Sequence, residues 1–252
     1  MAEYDRQYQT VDRTSTVSRA GIDEGLRAFM LGIYNNMALG LAITGVAAFS
    51  TFYFAVDQTA GGAALTPFGQ AIYASPLKWL VMFAPLLFVF GFSAGINRMR
   101  PATARVVFFA FAAVMGLSLS TIFLVFTGQS IVQTFFITAA AFGGLSLWGY
   151  TTKKDLSGWG SFLMMGLIGI IIAMIVNIFL ASSALQFAVS VLGVLLFAGL
   201  TAYDTQRLKN TYDYVAGDTV AAGRASIMGA LQLYLDFINL FMFLLQFLGN
   251  RE

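Results

Sequence analysis

Charge is missing from two long stretches of this 252-residue chain: residues 106–152 and 156–203 contain no Asp, Glu, Lys or Arg. An α-helix crosses the hydrocarbon core of a bilayer with about 20 apolar residues. Each stretch is more than twice that length and therefore reads as two spans joined by a turn. The turns fall at Thr127-Gly128-Gln129-Ser130 and near Ala181-Ser182-Ser183, where glycine and small polar residues interrupt the apolar run. No water-soluble globule fits this pattern. Hydrophobic residues make up 58% of the chain and charged ones 10%, against roughly 25% charged in a soluble domain.

The remaining charges bound three further spans. Residues 28–56 form the first, and a loop rich in Gly, Ala and Pro follows over 57–76. Residues 77–97 form the second, closed by the basic turn Arg98-Met99-Arg100-Pro101; residues 225–248 form the last, after a polar loop at 207–224. The expectation is an all-α membrane protein of seven transmembrane helices, with one transmembrane domain over 28–250. Residues 1–27 carry four Arg and five acidic residues and read as a polar, mobile tail. They do not form a cleavable signal, because no apolar segment follows a short basic start. Cytoplasmic loops of membrane proteins collect Lys and Arg. If the N-terminus is cytoplasmic, twelve of the fourteen basic residues are inside, and only Lys78 and Arg251 are not. That gives a multi-pass membrane protein with its N-terminus in the cytoplasm. Asp236, inside the last segment, leaves open whether that segment spans or re-enters.

Composition removes much chemistry. The chain has no His and no Cys, so imidazole-based triads, thiol nucleophiles, disulfides and Cys/His zinc sites are excluded. A net charge of +2 offers no footprint for nucleic acid, and no glycine-rich phosphate loop occurs. Neither an enzyme nor a resident cofactor is expected. What remains is a short list of ionisable groups in apolar helices, each costly in hydrocarbon unless paired or hydrated. Asp236 lies in Leu233-Tyr234-Leu235-Asp236-Phe237-Ile238 and Asp204 in Leu200-Thr201-Ala202-Tyr203-Asp204-Thr205. Both belong to the last two helices, at depths from which their side chains can meet. Two carboxyls sharing one dry site cannot both ionise easily, so the pair holds a proton; fully ionised, it becomes a hard-oxygen site of the kind Ca2+ favours. The simpler alternatives are that Asp204 pairs with Arg207 or reaches the interface, and that Asp236 makes a structural hydrogen bond. For Arg98, at the end of the second span, the plain reading is an interfacial anchor. Asn35, Asn36, Asn177, Gln232 and Asn239 are expected to join helices by hydrogen bonds, and Gly40, Gly45, Gly166, Gly169, Gly193 and Gly199 to permit close packing.

Four segments carry a resemblance to a known family. They are Tyr34-Asn35-Asn36-Met37-Ala38-Leu39-Gly40-Leu41, Lys154-Asp155-Leu156-Ser157, Phe197-Ala198-Gly199-Leu200-Thr201-Ala202-Tyr203-Asp204-Thr205-Gln206, and Ala230-Leu231-Gln232-Leu233-Tyr234-Leu235-Asp236-Phe237-Ile238-Asn239-Leu240-Phe241. The chain resembles the Bax inhibitor-1 family, in its bacterial YccA-like branch. The resemblance implies a last helix surrounded by the other six. It also implies a proton-sensing dyad at Asp204 and Asp236, a latch at Arg98, and a pH-sensitive passive calcium leak with Ca2+ as the permeant ion. An alternative function implied for bacterial members is modulation, without transport, of a membrane-bound AAA protease and of membrane-protein turnover, with the tail as the contact. An intramembrane hydrolase would also use two aspartates, but neither motif resembles those of the aspartyl proteases.

Overall fold

The computed structural model describes residues 2–57 and 64–251, with side chains from Glu24 onward apart from Asn97. Its helices are α1 (Ala2–Ala55), the single turn α2 (Pro67–Gly69), α3 (Leu77–Gly95), α4 (Pro101–Leu119), α5 (Gly128–Thr151), α6 (Trp159–Leu180), α7 (Ser183–Val215) and α8 (Thr219–Leu248). All but α2 are long and apolar enough to cross a membrane. The segment 1–27 read as a tail falls on the first half of α1, and its side chains before Glu24 lie outside the described residues. The expected loop at 57–76 holds a two-residue hairpin, β1 (Val56–Asp57) against β2 (Ala64–Leu65), then α2 and a π-helical turn, Gln70–Ala74; residues 58–63 lie outside the described residues.

Local chemistry places the breaks. Thr127 caps α5 by accepting from the Ser130 N–H, and Pro101 occupies the first turn of α4, where its missing N–H costs nothing. Between α6 and α7, Ala181 adopts a left-handed conformation (φ 47°) and Ser182 caps α7 through the Leu185 N–H. The break read from Ala181-Ser182-Ser183 therefore stands. One boundary differs. The polar segment 207–224 is helix almost throughout: α7 continues to Val215, and α8 begins at Thr219 behind an Asp218 cap. Arg207, Lys209 and Asn210 carry good or neutral helix propensity, and Asp218 supplies the stop-and-start that composition alone placed less sharply.

Contacts between connections define two ends of the bundle. At one, Phe29 of α1 stacks at a tilt on Tyr212 of α7, ring centroids 5.5 Å apart. Arg224 Nε of α8 donates to the Met99 carbonyl at 2.7 Å, and Gln206 of α7 bonds Lys154 O and Leu156 N, each at 2.8 Å. At the other end, Thr127 N donates to Asn250 O at 3.1 Å and Asn250 N to Ser130 Oγ at 3.0 Å. Helix α8 therefore runs from the α3–α4 connection to the α4–α5 turn in one unbroken piece. Thirty residues rise about 45 Å, so this segment is a full-length span, not a re-entrant hairpin.

Helix α8 is also the core. Of its span-length window 72% is buried, against 33% or less in the other six. It packs on α7, α1, α5 and α4, whereas α3 packs chiefly on α4 and α6 chiefly on α7. Four helices, not six, thus close tightly on α8. The outward faces are apolar, as lipid requires: Phe162, Met165, Ile178 and Phe179 of α6 are among the most exposed side chains.

Candidate functional site

The interhelical hydrogen bonds that organise the core are made by hydroxyls. Thr44 of α1 donates to the Ala112 carbonyl at 2.9 Å, so its oxygen accepts from the Tyr234 hydroxyl at 2.6 Å. Tyr234, fully buried, also meets Phe108 and Phe111 edge-on, both at 5.7 Å. A second chain joins α1, α5 and α7. Thr205 donates to Thr201 O at 2.8 Å, leaving its oxygen to accept from Ser146 at 2.9 Å, and Ser146 accepts from Tyr34 at 2.5 Å. These bonds fix the face of α7 next to Asp204. Of the amides expected to join helices, Gln232 of α8 does so by bonding Asp204 of α7, and three others do not. Asn36 and Asn239 donate to carbonyls of their own helices (Gly32 and Leu235), and Asn177 accepts from Ser182 N at the end of α6. Asparagine's short side chain reaches its own i−4 carbonyl more easily than a neighbouring helix.

Close backbone approach positions α7 against α5. A Cβ on Gly149 would lie 2.9 Å from Ala202 Cα, and Gly116 approaches the backbone of Thr44 and Ala48 as tightly. Gly40, Gly166, Gly193 and Gly199 do face neighbouring side chains, while Gly45 and Gly169 open onto free space. The two glycines that meet the backbone of a neighbouring span, Gly116 and Gly149, were thus not among those singled out. Their flanking sequence, rich in Ser, Leu and aromatic residues, offers no spacing signal that sets them apart.

Helices α7 and α8 run antiparallel, with Leu208 against Gly229 and Ser190 against Gln246. That register brings the two aspartates together. Asp204 is 4% exposed and Asp236 5%, and both face a cavity of about 660 Å³ bounded by α6, α7 and α8. The Asp204 carboxyl is approached by the side chains of Gln232 and Asp236, with the Arg207 guanidinium within electrostatic reach. Asp236 Oδ2 is buried and has no hydrogen-bond partner among the described residues. A buried polar atom without a partner costs free energy, which a shared proton or a cation would relieve.

Arg98 is not brought to this pair. It ends the short 3-10 turn Ile96–Arg98 after α3, is exposed, and makes no hydrogen bond or ion pair with the dyad. The neighbouring Met99 carbonyl sits on Arg224, twelve residues before Asp236, which is about 18 Å along α8. Gln232, read from the sequence only as a helix-joining amide, is the partner missed as a site residue, whereas Arg207 was read as a partner of Asp204 and does lie within its electrostatic reach. The available signal for Gln232 was its seven-residue spacing with Asn239 and Gln246. No cluster of three His, Cys, Asp or Glu side chains forms among the described residues.

Comparison with known proteins agrees with this architecture. Residues 26–252 match the family described as "Inhibitor of apoptosis-promoting Bax1". An uncharacterised protein of Caulobacter vibrioides is 48% identical, with all of both chains covered, and one of Rickettsia prowazekii is 45% identical with the same coverage. "Inner membrane protein YbhL" of Escherichia coli is 44% identical over 90% of this chain and 94% of its own.

Proposed function

The chain belongs to the Bax inhibitor-1 family, and from that premise we propose that it is a passive, pH-gated calcium leak of the inner membrane, oriented with its N-terminus in the cytoplasm. The observation that carries this reading is the meeting of two buried carboxyls in a cavity, one of them with an unpartnered oxygen. Carboxylate oxygens are hard ligands suited to Ca2+, and two of them facing each other take up a proton in its absence. The dyad is the proton sensor, and ionised it holds Arg98 as the latch of the inner mouth. Protonation removes the attraction and frees the arginine.

Arg98 makes no contact with the dyad in this structure, and the Met99 carbonyl beside it is held by Arg224, about 18 Å along α8 from Asp236, so on this reading latching brings the end of α3 toward the dyad. Helix α3 suits that role, because it packs chiefly on α4 and carries Pro85 inside it, and an internal proline weakens and kinks a helix. The orientation rests on charge. Arg27, Arg98, Arg100, Lys153, Lys154 and Arg224 share the end where α7 meets α8, and Arg251 lies at the other.

The test is calcium entry into liposomes carrying the purified protein and an internal dye. Flux above that of empty liposomes is expected, and Arg98→Ala should raise it at neutral pH. Absence of flux at every pH refutes the leak; flux of Arg98→Ala equal to wild type refutes the latch. The alternative, a modulator of a membrane AAA protease, is separated by deleting residues 2–24, which should leave flux intact. Loss of protease association without loss of flux favours that second activity.

A further inference from the structure

We propose that the ion route runs along one face of α8, marked by Gln232, Asp236, Asn239 and Gln246, and that Tyr203 and Arg207 form its constriction; this rests on the leak reading and names its path. From Ile227 to Leu245, α8 is buried on every side but one. Its half-buried residues are Met228, Gln232, Leu235, Asn239, Met242 and Gln246, spaced alternately by four and three, which is a single helical face. Every second position from Gln232 onward is an amide, seven residues apart. Two such steps rise about 21 Å, most of the ~30 Å hydrocarbon core.

A helix face turned to lipid does not carry such a ladder, because amides in hydrocarbon lose their hydrogen bonds with water. Here all three amides and Asp236 line the same cavity of about 660 Å³. Asn239 uses its Nδ2 on the Leu235 carbonyl, which leaves its Oδ1 as a free acceptor, the kind of oxygen that ligates Ca2+. At the far end, Ser190 Oγ donates to Gln246 Oε1 at 3.3 Å and extends the polar line onto α7. At the near end, a polar pocket of about 200 Å³ holds Ser157, Gln206, Asn210 and Thr211. Tyr203 and Arg207 line both spaces. They are the partition between the mouth and the dyad, and the guanidinium places a positive charge where an entering cation must pass. The wall opposite the ladder is α6, with Met164, Ile171 and Met174, an apolar surface of the kind that gates by excluding water.

The chain contains no cysteine, so single thiols report access without background. Asn239→Cys, Gln246→Cys and, as a lipid-facing control, Phe179→Cys (84% exposed on α6) are reconstituted and treated with a membrane-impermeant cationic methanethiosulfonate or a lipophilic maleimide. The cationic reagent should modify positions 239 and 246 and cut calcium flux at least tenfold, while position 179 reacts with the maleimide alone and flux is unchanged. Reaction of 239 and 246 with the maleimide alone, alongside normal wild-type flux, overturns the route, shows the cavity to be filled by lipid, and leaves the leak standing. Modification of both positions by the cationic reagent in a protein that passes no calcium supports the aqueous route and refutes the leak. Arg207→Ala should raise neutral-pH flux at least threefold; unchanged or reduced flux overturns the constriction.

Discussion

Gly149→Ala puts the contact beneath the dyad under load. A methyl at this position would stand 2.9 Å from Ala202 Cα and 3.0 Å from its carbonyl carbon, and nearer still to the carbonyl oxygen. Ordinary contact begins at 3.4 Å, so α5 and α7 must separate by at least 0.5 Å. The obstacle is backbone, which cannot rotate away as a side chain does. Overpacking of this kind costs about 1–3 kcal/mol. Gly143 and Gly144 lie on the same helix with nothing within 4 Å of the added carbon, and there alanine gains up to about 1 kcal/mol of helix propensity. In detergent, Gly149→Ala should unfold roughly 2–12 °C below wild type, taking about 2–4 °C per kcal/mol for a chain of this size. Gly143→Ala and Gly144→Ala should unfold at or above wild type. Because Ala202 is two residues from Asp204, the Gly149 variant should also alter the pH response of flux. Equal melting of all three variants would refute the claim that α5 and α7 meet backbone to backbone.

Thr44→Val should destabilise more than Tyr234→Phe in the same melting assay. The first strands the buried Tyr234 hydroxyl, a loss of about 1–3 kcal/mol, and also removes the extra bond to the Ala112 carbonyl, which keeps its helical N–H; the second removes one hydrogen bond worth about 1 kcal/mol. Gln206→Leu frees the α5–α6 connection from α7; backbone amides of residues 153–157 should exchange hydrogen faster, and unchanged exchange would show the clamp to be idle. The Asp218 carboxyl is held below the usual carboxylate range by the Ala221 and Val220 N–H groups it accepts from. A lowered folded-state value means that the capping stability is present above the unfolded value and is lost as pH falls through the folded one. Asp218→Asn, which caps without titrating, should remove that part of the acid-induced fall in melting temperature.

The spans were legible because hydrocarbon tolerates so few residues. Charge-free length sets the helix count, and Ser182 and Thr127, as caps, mark two breaks to within a residue or two. The end of α7 was not legible. Residues 207–215 are polar, and polarity reads as loop unless the Asp218 cap is recognised as the start of the next helix. The aspartates stood out for the reason the spans did: a carboxylate in an apolar run is expensive. Arg207, one turn along the same helix, was legible as a partner of Asp204; Gln232 was not, because it acquires meaning only from the α7–α8 register, which depends on long-range packing at Gly193, Gly229 and Phe243. The position of Arg98, separated from the dyad along α8, likewise follows from helix packing and not from its own neighbours.

The central claim, that Asp204 and Asp236 together sense protons and gate calcium, is tested most directly by calcium uptake into liposomes at mildly acid and at neutral pH. Wild type should take up calcium faster in acid, and Asp204→Asn and Asp236→Asn, each with a dyad that no longer titrates as a pair, should lose that difference. Variants that keep the wild-type acid response would contradict it.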